Sequence, residues 1–215
     1  MKRVRRLLVK ICGLQTTEQA IAAETYGADL LGFIMAPSRR QLTPAKARMI
    51  CRRITKAERV GVFVDAPLAL VREMAAYCGF DRVQLHGSET AAYCEAIGLP
   101  YIKTLVMDKP LPTVAELEAF YNGCFLIDSG SGSGIAFDWR RCGELPEAVQ
   151  RKMLLAGGLD AGNVCQAIQT VNPLGVDVSS GVETNGMKDL RKIAAFIGNV
   201  REQGGKSNAG CYFSG

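Results

Sequence analysis

The feature that most limits the fold of this chain is an alternation between two hydrophobic periods. Short runs rich in Val, Ile and Leu (LLVKICG, ADLLGFI, RVGVFV, RVQLHG, PYIKTLV, CFLID, KMLLAGG and GVDVSSG) take turns with longer stretches of helical spacing. The helical stretches are TTEQAIAAETYG, TPAKARMICRRI, PLALVREMAAYCG, SETAAYCEAIG, TVAELEAFYNG, a short one near DWRRCGEL, DAGNVCQAIQTV, and a final helix from about Met187 to Val200. Thr16 or Thr17 caps the first, Gly27 stops it, and Pro44 sits in the first turn of the second. Eight strands each followed by a helix predict a parallel sheet covered by helices. At 215 residues, eight units favour closure into a single (β/α)8 TIM barrel, parallel strands inside and helices outside. An open doubly wound sheet would show a G-x-G-x-x-G turn after its first strand, where this chain reads CGLQTT. No break interrupts the alternation, so residues 1–203 are expected to form one catalytic barrel. The tail from 204 to 215 has the composition of a flexible linker.

Composition narrows the function classes. The net charge is +5, yet Lys and Arg are scattered apart from KRVRR near the start, which reads as a solvated lead-in and argues against a nucleic-acid partner. A mild positive field suits capture of a small phosphorylated anion. No apolar run reaches the roughly 18 residues of a membrane span, and no signal-peptide core follows the basic start. The eight cysteines are spread along the chain without a C-x-x-C pair, and seven of them read as reduced, buried core residues. A reducing, cytoplasmic location is the expectation.

In a barrel of this kind the chemistry lies at the C-terminal ends of the strands. Here those ends carry Cys12, His86, Asp128, the pair Gly157 and Gly158, and the trio Ser179, Ser180 and Gly181. The turns after strands seven and eight expose bare backbone near a helix start, an arrangement suited to a phosphate ester. Side chains alternate across a strand, so Leu8, Lys10 and Cys12 share one face, as do Cys124, Leu126 and Asp128, and Asp177 and Ser179. Charged residues in strands buried on both faces must point into the barrel and need partners there. Strand eight closes against strand one, which places Lys10 near Asp177 as a pair that supports the site or joins it. Asp128, set before SGSGSGIAFDW and opposite Cys12, forms with it an acid–base pair across a cavity. His86 lines the cavity in a substrate-contacting or a structural role. It has no metal-ligand company, so no metal is expected. Arg39 and Arg40 lie at the same rim, and an arginine there suits bidentate capture of a carboxylate.

Taken together, KICG, GADLLGFI, SRRQLTP, VGVFV, VQLHG, LID, FDW, LAGGL and VDVSSGVE resemble the signature segments of phosphoribosylanthranilate isomerase, in order, from Lys10 to about Phe196. The resemblance implies an Amadori rearrangement in tryptophan biosynthesis, N-(5-phosphoribosyl)anthranilate becoming 1-(o-carboxyphenylamino)-1-deoxyribulose 5-phosphate, with no metal and no organic cofactor. It implies Cys12 as general base and Asp128 as general acid. It also implies Arg40 as the holder of the anthranilate carboxylate, and Gly157, Gly158, Ser180 and Gly181 as the phosphate turns. Two departures stand out: Gln41 where the family often has an aromatic, which sets Arg39 against Arg40 as the clamp, and SGSGI before FDW. Neither touches the catalytic pair.

Free Asp and Cys titrate near about 3.9 and 8.5, so each must shift toward neutrality for these roles. The expectation is that Lys10, on the same face, lowers Cys12. Two alternatives are an isomerase of the related histidine-pathway aminoaldose, or of both substrates, and a non-catalytic barrel that only binds a phosphorylated metabolite. Enzymes of the histidine pathway resemble a pair of aspartates, so the thiol at position 12 favours the anthranilate substrate. Monomer and homodimer both remain open.

Overall fold

The computed structural model describes residues 6–107, 113–120, 122–128 and 138–206, with side chains up to Gln203. Eight parallel strands close into a barrel in sequence order. They are β1 (Leu8–Cys12), β2 (Leu30–Ile34), β3 (Glu58–Phe63), β4 (Arg82–Leu85), β5 (Tyr101–Val106), β6 (Cys124–Asp128), β7 (Met153–Leu155) and β8 (Gly175–Val178). Around them lie α1 (Thr17–Tyr26), α2 (Pro44–Cys51), α3 (Leu68–Cys78), α4 (Ala91–Ala96), α5 (Val114–Glu118), α6 (Glu147–Gln150), α7 (Val164–Val171) and α8 (Leu190–Lys206). Closure is made by β8 against β1, with Lys10 opposite Asp177 in the register.

The strand parity expected from the sequence divides the core in two. Val9, Ile11, Leu31, Phe33, Val83, Leu85, Phe125, Ile127, Val176 and Val178 belong to the large cluster between strands and helices. Leu30, Val60, Ile102, Leu126, Leu154 and Ala156 form a separate plug inside the barrel. Fully burying a side chain of this size stabilises by roughly 1.5–3 kcal/mol, so the outer layer carries most of the folding energy. The inner plug leaves the C-terminal mouth to polar groups.

Helix boundaries follow their caps. Thr16 accepts from the Gln19 amide at the start of α1, which ends on Gly27 at φ 102°. Thr43 caps α2 ahead of Pro44. The structure departs from the sequence reading in four places. The fifth helix is only five residues long. The short helix near DWRRCGEL is a 3-10 turn over Trp139–Glu144, followed by the separate α6. Met187 does not start the last helix: Glu183–Thr184 (β9) and Met187–Lys188 (β10) form a small antiparallel hairpin. Its turn is Asn185-Gly186, both at positive φ, the geometry that two-residue hairpins favour. Helix α8 then starts after Asp189, whose carboxylate accepts from the Arg191 and Lys192 amides, and it continues to Lys206, beyond the expected barrel boundary. The rest of the tail and the SGSGSGIAF segment lie outside the described residues.

Two of the seven cysteines expected to be core residues are not fully buried. Cys51, Cys78, Cys94 and Cys142 are buried free thiols, but Cys124 and Cys165 are only half-buried. Cys124 lies at the bottom of the barrel interior, packed against the inner plug, where layers of side chains thin toward solvent. Cys211 lies outside the described residues.

Candidate active site

At the C-terminal mouth a cavity of about 430 Å³ gathers Cys12, Arg40, Gln84, His86, Asp128, Gly157, Gly158, Asp177, Ser179 and Ser180. These residues come from five strand ends and one loop, so closure of the sheet brings them to one place.

Cys12 ends β1 and is 6% exposed. Gly32 is its register partner on β2, and a Cβ there would stand 2.8 Å from the thiol sulfur. The glycine makes room for the side chain. Gly13 follows at φ +78°, and a Cβ on it would meet Arg40 Cδ at 2.6 Å and Ser179 Oγ at 3.3 Å. Both therefore pack directly on the backbone beside the thiol.

Lys10, with no exposed surface, donates to Asp177 Oδ1 at 2.9 Å. Burial lowers the lysine's affinity for its proton, but Asp177 and then Cys12 outweigh it and hold the ammonium charged. The thiol behaves differently from the sequence expectation. Burial pushes Cys12 up, and although Lys10 and Lys188 pull it down, its net shift is upward. The lysine's charge is shared with Asp177, which itself raises the thiol, so Lys10 offsets desolvation without overcoming it.

Asp128 ends β6 and faces His86, with Nε2 to Oδ2 at 3.7 Å. The imidazole's other nitrogen lies 3.1 Å from the Gln84 amide nitrogen, which also contacts Thr104 Oγ1 at 3.3 Å. An amide donating to Nδ1 leaves the ring hydrogen on Nε2, toward Asp128. Burial lowers the imidazole's proton affinity despite the Asp128 charge, so His86 is neutral near pH 7. Its loop is fixed from behind by a buried pair that sequence reasoning did not single out. Lys103 donates to the Gly87 carbonyl at 2.6 Å and to Glu89 at 2.7 Å, and Glu89 accepts from the Gly87 amide at 3.0 Å. A second cavity of about 640 Å³ lies above this pair and shares His86.

The two glycine-rich turns meet. Gly157 and Gly158 are both left-handed, at φ 84° and 66°. A Cβ on Gly181 would fall 1.9 Å from the Leu159 carbonyl oxygen, so the turns after β7 and β8 touch through backbone alone. Gly181 itself is behind the cavity wall that Ser180 lines.

Of the two arginines, Arg40 lines the cavity with a side chain 17% exposed, while Arg39 projects outward at 58%. Both are held by Glu183, which accepts from Arg40 Nε at 2.6 Å and Nη2 at 2.9 Å and from Arg39 at 2.7 Å. Lys188 completes the cluster at 2.8 Å. Surrounded by cations, the Glu183 carboxyl is held down at about 2 in spite of burial. Glu183, Lys188 and Gly32 were missed as site residues. The Asn185-Gly186 dipeptide was the signal for the hairpin that carries the first two, while nothing local marks Gly32.

A closed (β/α)8 barrel with a cavity at its C-terminal mouth, lined by an arginine, a histidine, a thiol, two carboxylates and glycine-rich turns, defines the class: a barrel protein with a small-ligand site. Comparison with known proteins narrows it. A family model described as N-(5′-phosphoribosyl)anthranilate (PRA) isomerase matches residues 9–199, and the chain belongs to that family. It is 43% identical over 202 residues to the N-(5′-phosphoribosyl)anthranilate isomerase of Desulforamulus reducens, covering 90% of this chain and 95% of the relative. The fold matches the crystal structure of phosphoribosyl anthranilate isomerase from Thermus thermophilus with a TM-score of 0.82 at 34% identity, covering 91% and 99% of the two chains. A second isomerase structure, solved in complex with reduced 1-(o-carboxyphenylamino)-1-deoxyribulose 5-phosphate, matches at 34% identity with a TM-score of 0.78 over the same shares. No helix among the described residues is long and apolar enough to cross a membrane.

Proposed function

We propose that Cys12 and Asp128 are the general base and general acid of an Amadori rearrangement that opens N-(5′-phosphoribosyl)anthranilate to its 1-deoxyribulose 5-phosphate product. Family membership makes the chain a phosphoribosylanthranilate isomerase of tryptophan biosynthesis. The observation that carries the residue assignment is that Cys12, Asp128, Arg40 and both glycine-rich turns line one cavity of about 430 Å³.

The steps follow from the chemistry of the substrate. The ester phosphate sits in the turns of Gly157, Gly158, Ser180 and Gly181, and the anthranilate carboxylate on the guanidinium of Arg40. The C2′ proton is not acidic while the ribose ring is closed. Asp128 therefore gives a proton to the ring oxygen, the C1′–O bond breaks, and the nitrogen lone pair forms an iminium. Cys12 as thiolate then takes the C2′ proton, and the electron pair moves toward nitrogen to give an enolamine. Tautomerisation of that enolamine yields the ketone. Because burial holds the thiol up, Cys12 first loses its own proton to solvent, and the positive iminium beside it favours the thiolate that then takes the C2′ proton. Neutral His86 gives Asp128 a dipolar partner without a full charge.

Every group named comes from a single chain, so a monomer and a homodimer serve the chemistry equally. A thiol base works only when reduced, which fits a cytoplasmic site. In the test, phosphoribosylanthranilate is generated in situ and the decay of its fluorescence is followed. Cys12→Ala and Asp128→Asn are each expected to slow the decay by about 10²–10⁴-fold, and equal decay in all three proteins overturns the assignment.

A further inference from the structure

The β9–β10 hairpin does nothing in the mechanism above, yet each of its strands holds a residue that lines the cavity. Glu183 and Lys188 are cross-strand partners, and Asn185-Gly186 fixes their register. Both side chains are almost fully buried, 5% and 2% exposed. Their contacts run in two directions. Toward the rim, Glu183 holds the Nε–Nη2 edge of Arg40 and leaves the rest of the guanidinium to the cavity. Toward the centre, Lys188 donates to the Ser179 carbonyl at 2.8 Å and the Ser179 hydroxyl at 3.2 Å, and that hydroxyl donates to the Cys12 carbonyl at 3.1 Å.

We propose that Glu183 and Lys188 are positioning residues of the isomerase: one carboxylate and one ammonium, set by a two-residue turn, that hold the carboxylate clamp Arg40 and the base Cys12 in a single frame. The inference rests on the functional reading of Arg40 and Cys12 given above. All three Lys188 donors are used, two on Ser179 and one on Glu183, so the ammonium cannot rotate away. Its charge reaches the thiol through space, while its bonds fix the end of β1 through Ser179. Glu183 is its counter-ion and tempers that charge.

The charged and titratable groups around Cys12 are Lys10 on β1, Asp177 on β8, Lys188 on β10, Arg40 after β2, His86 after β4 and Asp128 on β6. Lys10 and Asp177 form a closed pair with each other. The Glu183–Lys188 pair is therefore the part of the surroundings in which either partner can be neutralised while Lys10–Asp177 stays intact. Removing the cation strips stabilisation from the thiolate, and removing the anion strengthens it.

The test reads the rising limb of kcat/KM against pH, which reports the base in the free enzyme, for wild type, Lys188→Met, Lys188→Arg and Glu183→Gln. The limb is expected to move up by about half a pH unit or more in Lys188→Met and down in Glu183→Gln, with Lys188→Arg restoring the wild-type position. KM is expected to rise about tenfold in Glu183→Gln, as the clamp loses its orientation. A hairpin that only stabilises the fold would lower activity in all variants and leave the limb in place. Limbs that stay put, or move in the same direction in Lys188→Met and Glu183→Gln, overturn the proposal. If Lys188→Met does not fold, the downward shift in Glu183→Gln and the limb position in Lys188→Arg decide the matter. If Cys12→Ala stays fully active, the base assignment fails. A dead Cys12→Ala with unmoved limbs rejects the positioning role alone.

Discussion

At the scale of single residues, the site depends on two buried accommodations made for one sulfur. Gly32 gives Cys12 its space, since a Cβ there would lie 2.8 Å from the sulfur and 3.0 Å from the Cys12 Cα. Gly32→Ala is therefore expected to push the thiol out of line, lowering kcat/KM at least about tenfold while costing roughly 1–3 kcal/mol of stability in urea unfolding. Lys10→Met tests the second accommodation. It leaves Asp177 buried with no cation beside it, and chemical denaturation is expected to show a loss of about 3–5 kcal/mol. The same variant removes the largest influence pulling the thiol down, so alkylation of Cys12, resolved by peptide mass spectrometry, should need a higher pH than in wild type. An unchanged alkylation profile would give the lysine a purely structural part. The residue types at Cys12, Asp128 and Lys10 were legible because strand parity fixed which way each faces. The direction of the thiol's shift was not, because it depends on how deeply closure of the barrel buries it.

At the scale of elements, loops after successive strands act as pairs. The turns after β7 and β8 are locked by Gly181 against the Leu159 carbonyl. Gly181→Ala must separate them by more than an ångström, and the expected result is a KM rise of about tenfold or more with weaker inhibition by inorganic phosphate, measured by steady-state kinetics. The hairpin shows the opposite case of a readable element. Asn185-Gly186 is among the strongest short-range turn signals, yet the strands it joins are two residues each and their apolar pattern blends into the following helix. Periodicity needs a longer window than such an element offers.

At the scale of the whole molecule, closure is held by more than the β1–β8 ladder. Arg201 of α8 donates to the Leu7 and Gly27 carbonyls and to Asp29, tying the last helix to the first strand and the first turn. The ion cluster around Glu183 plays the same part at the opposite end and ties stability to pH. Its carboxyl sits near 2 in the fold against an ordinary 4.5, so the native state binds this proton less readily than the unfolded chain. The stability it adds is complete above pH 4.5 and is lost as pH falls toward 2. Unfolding free energies from urea titrations between pH 5 and pH 2.5 should therefore fall more steeply in wild type than in Glu183→Gln, by no more than about 3 kcal/mol.

The sequence by itself determined the number of barrel strands, their parity, the closure of the sheet and the residue types at each strand end. All of these follow from local periodicity and from the rule that parallel strands bury both faces. Only the tertiary structure decided that Arg40 and not Arg39 faces the cavity, that Lys103 and Glu89 brace the His86 loop, and that a hairpin carboxylate and ammonium stand between Arg40 and Ser179. Those outcomes depend on contacts between groups up to 167 residues apart, such as Ser179 with Cys12. Across the widest of these gaps, distance and burial are set when the ring closes, and no local window of sequence contains them.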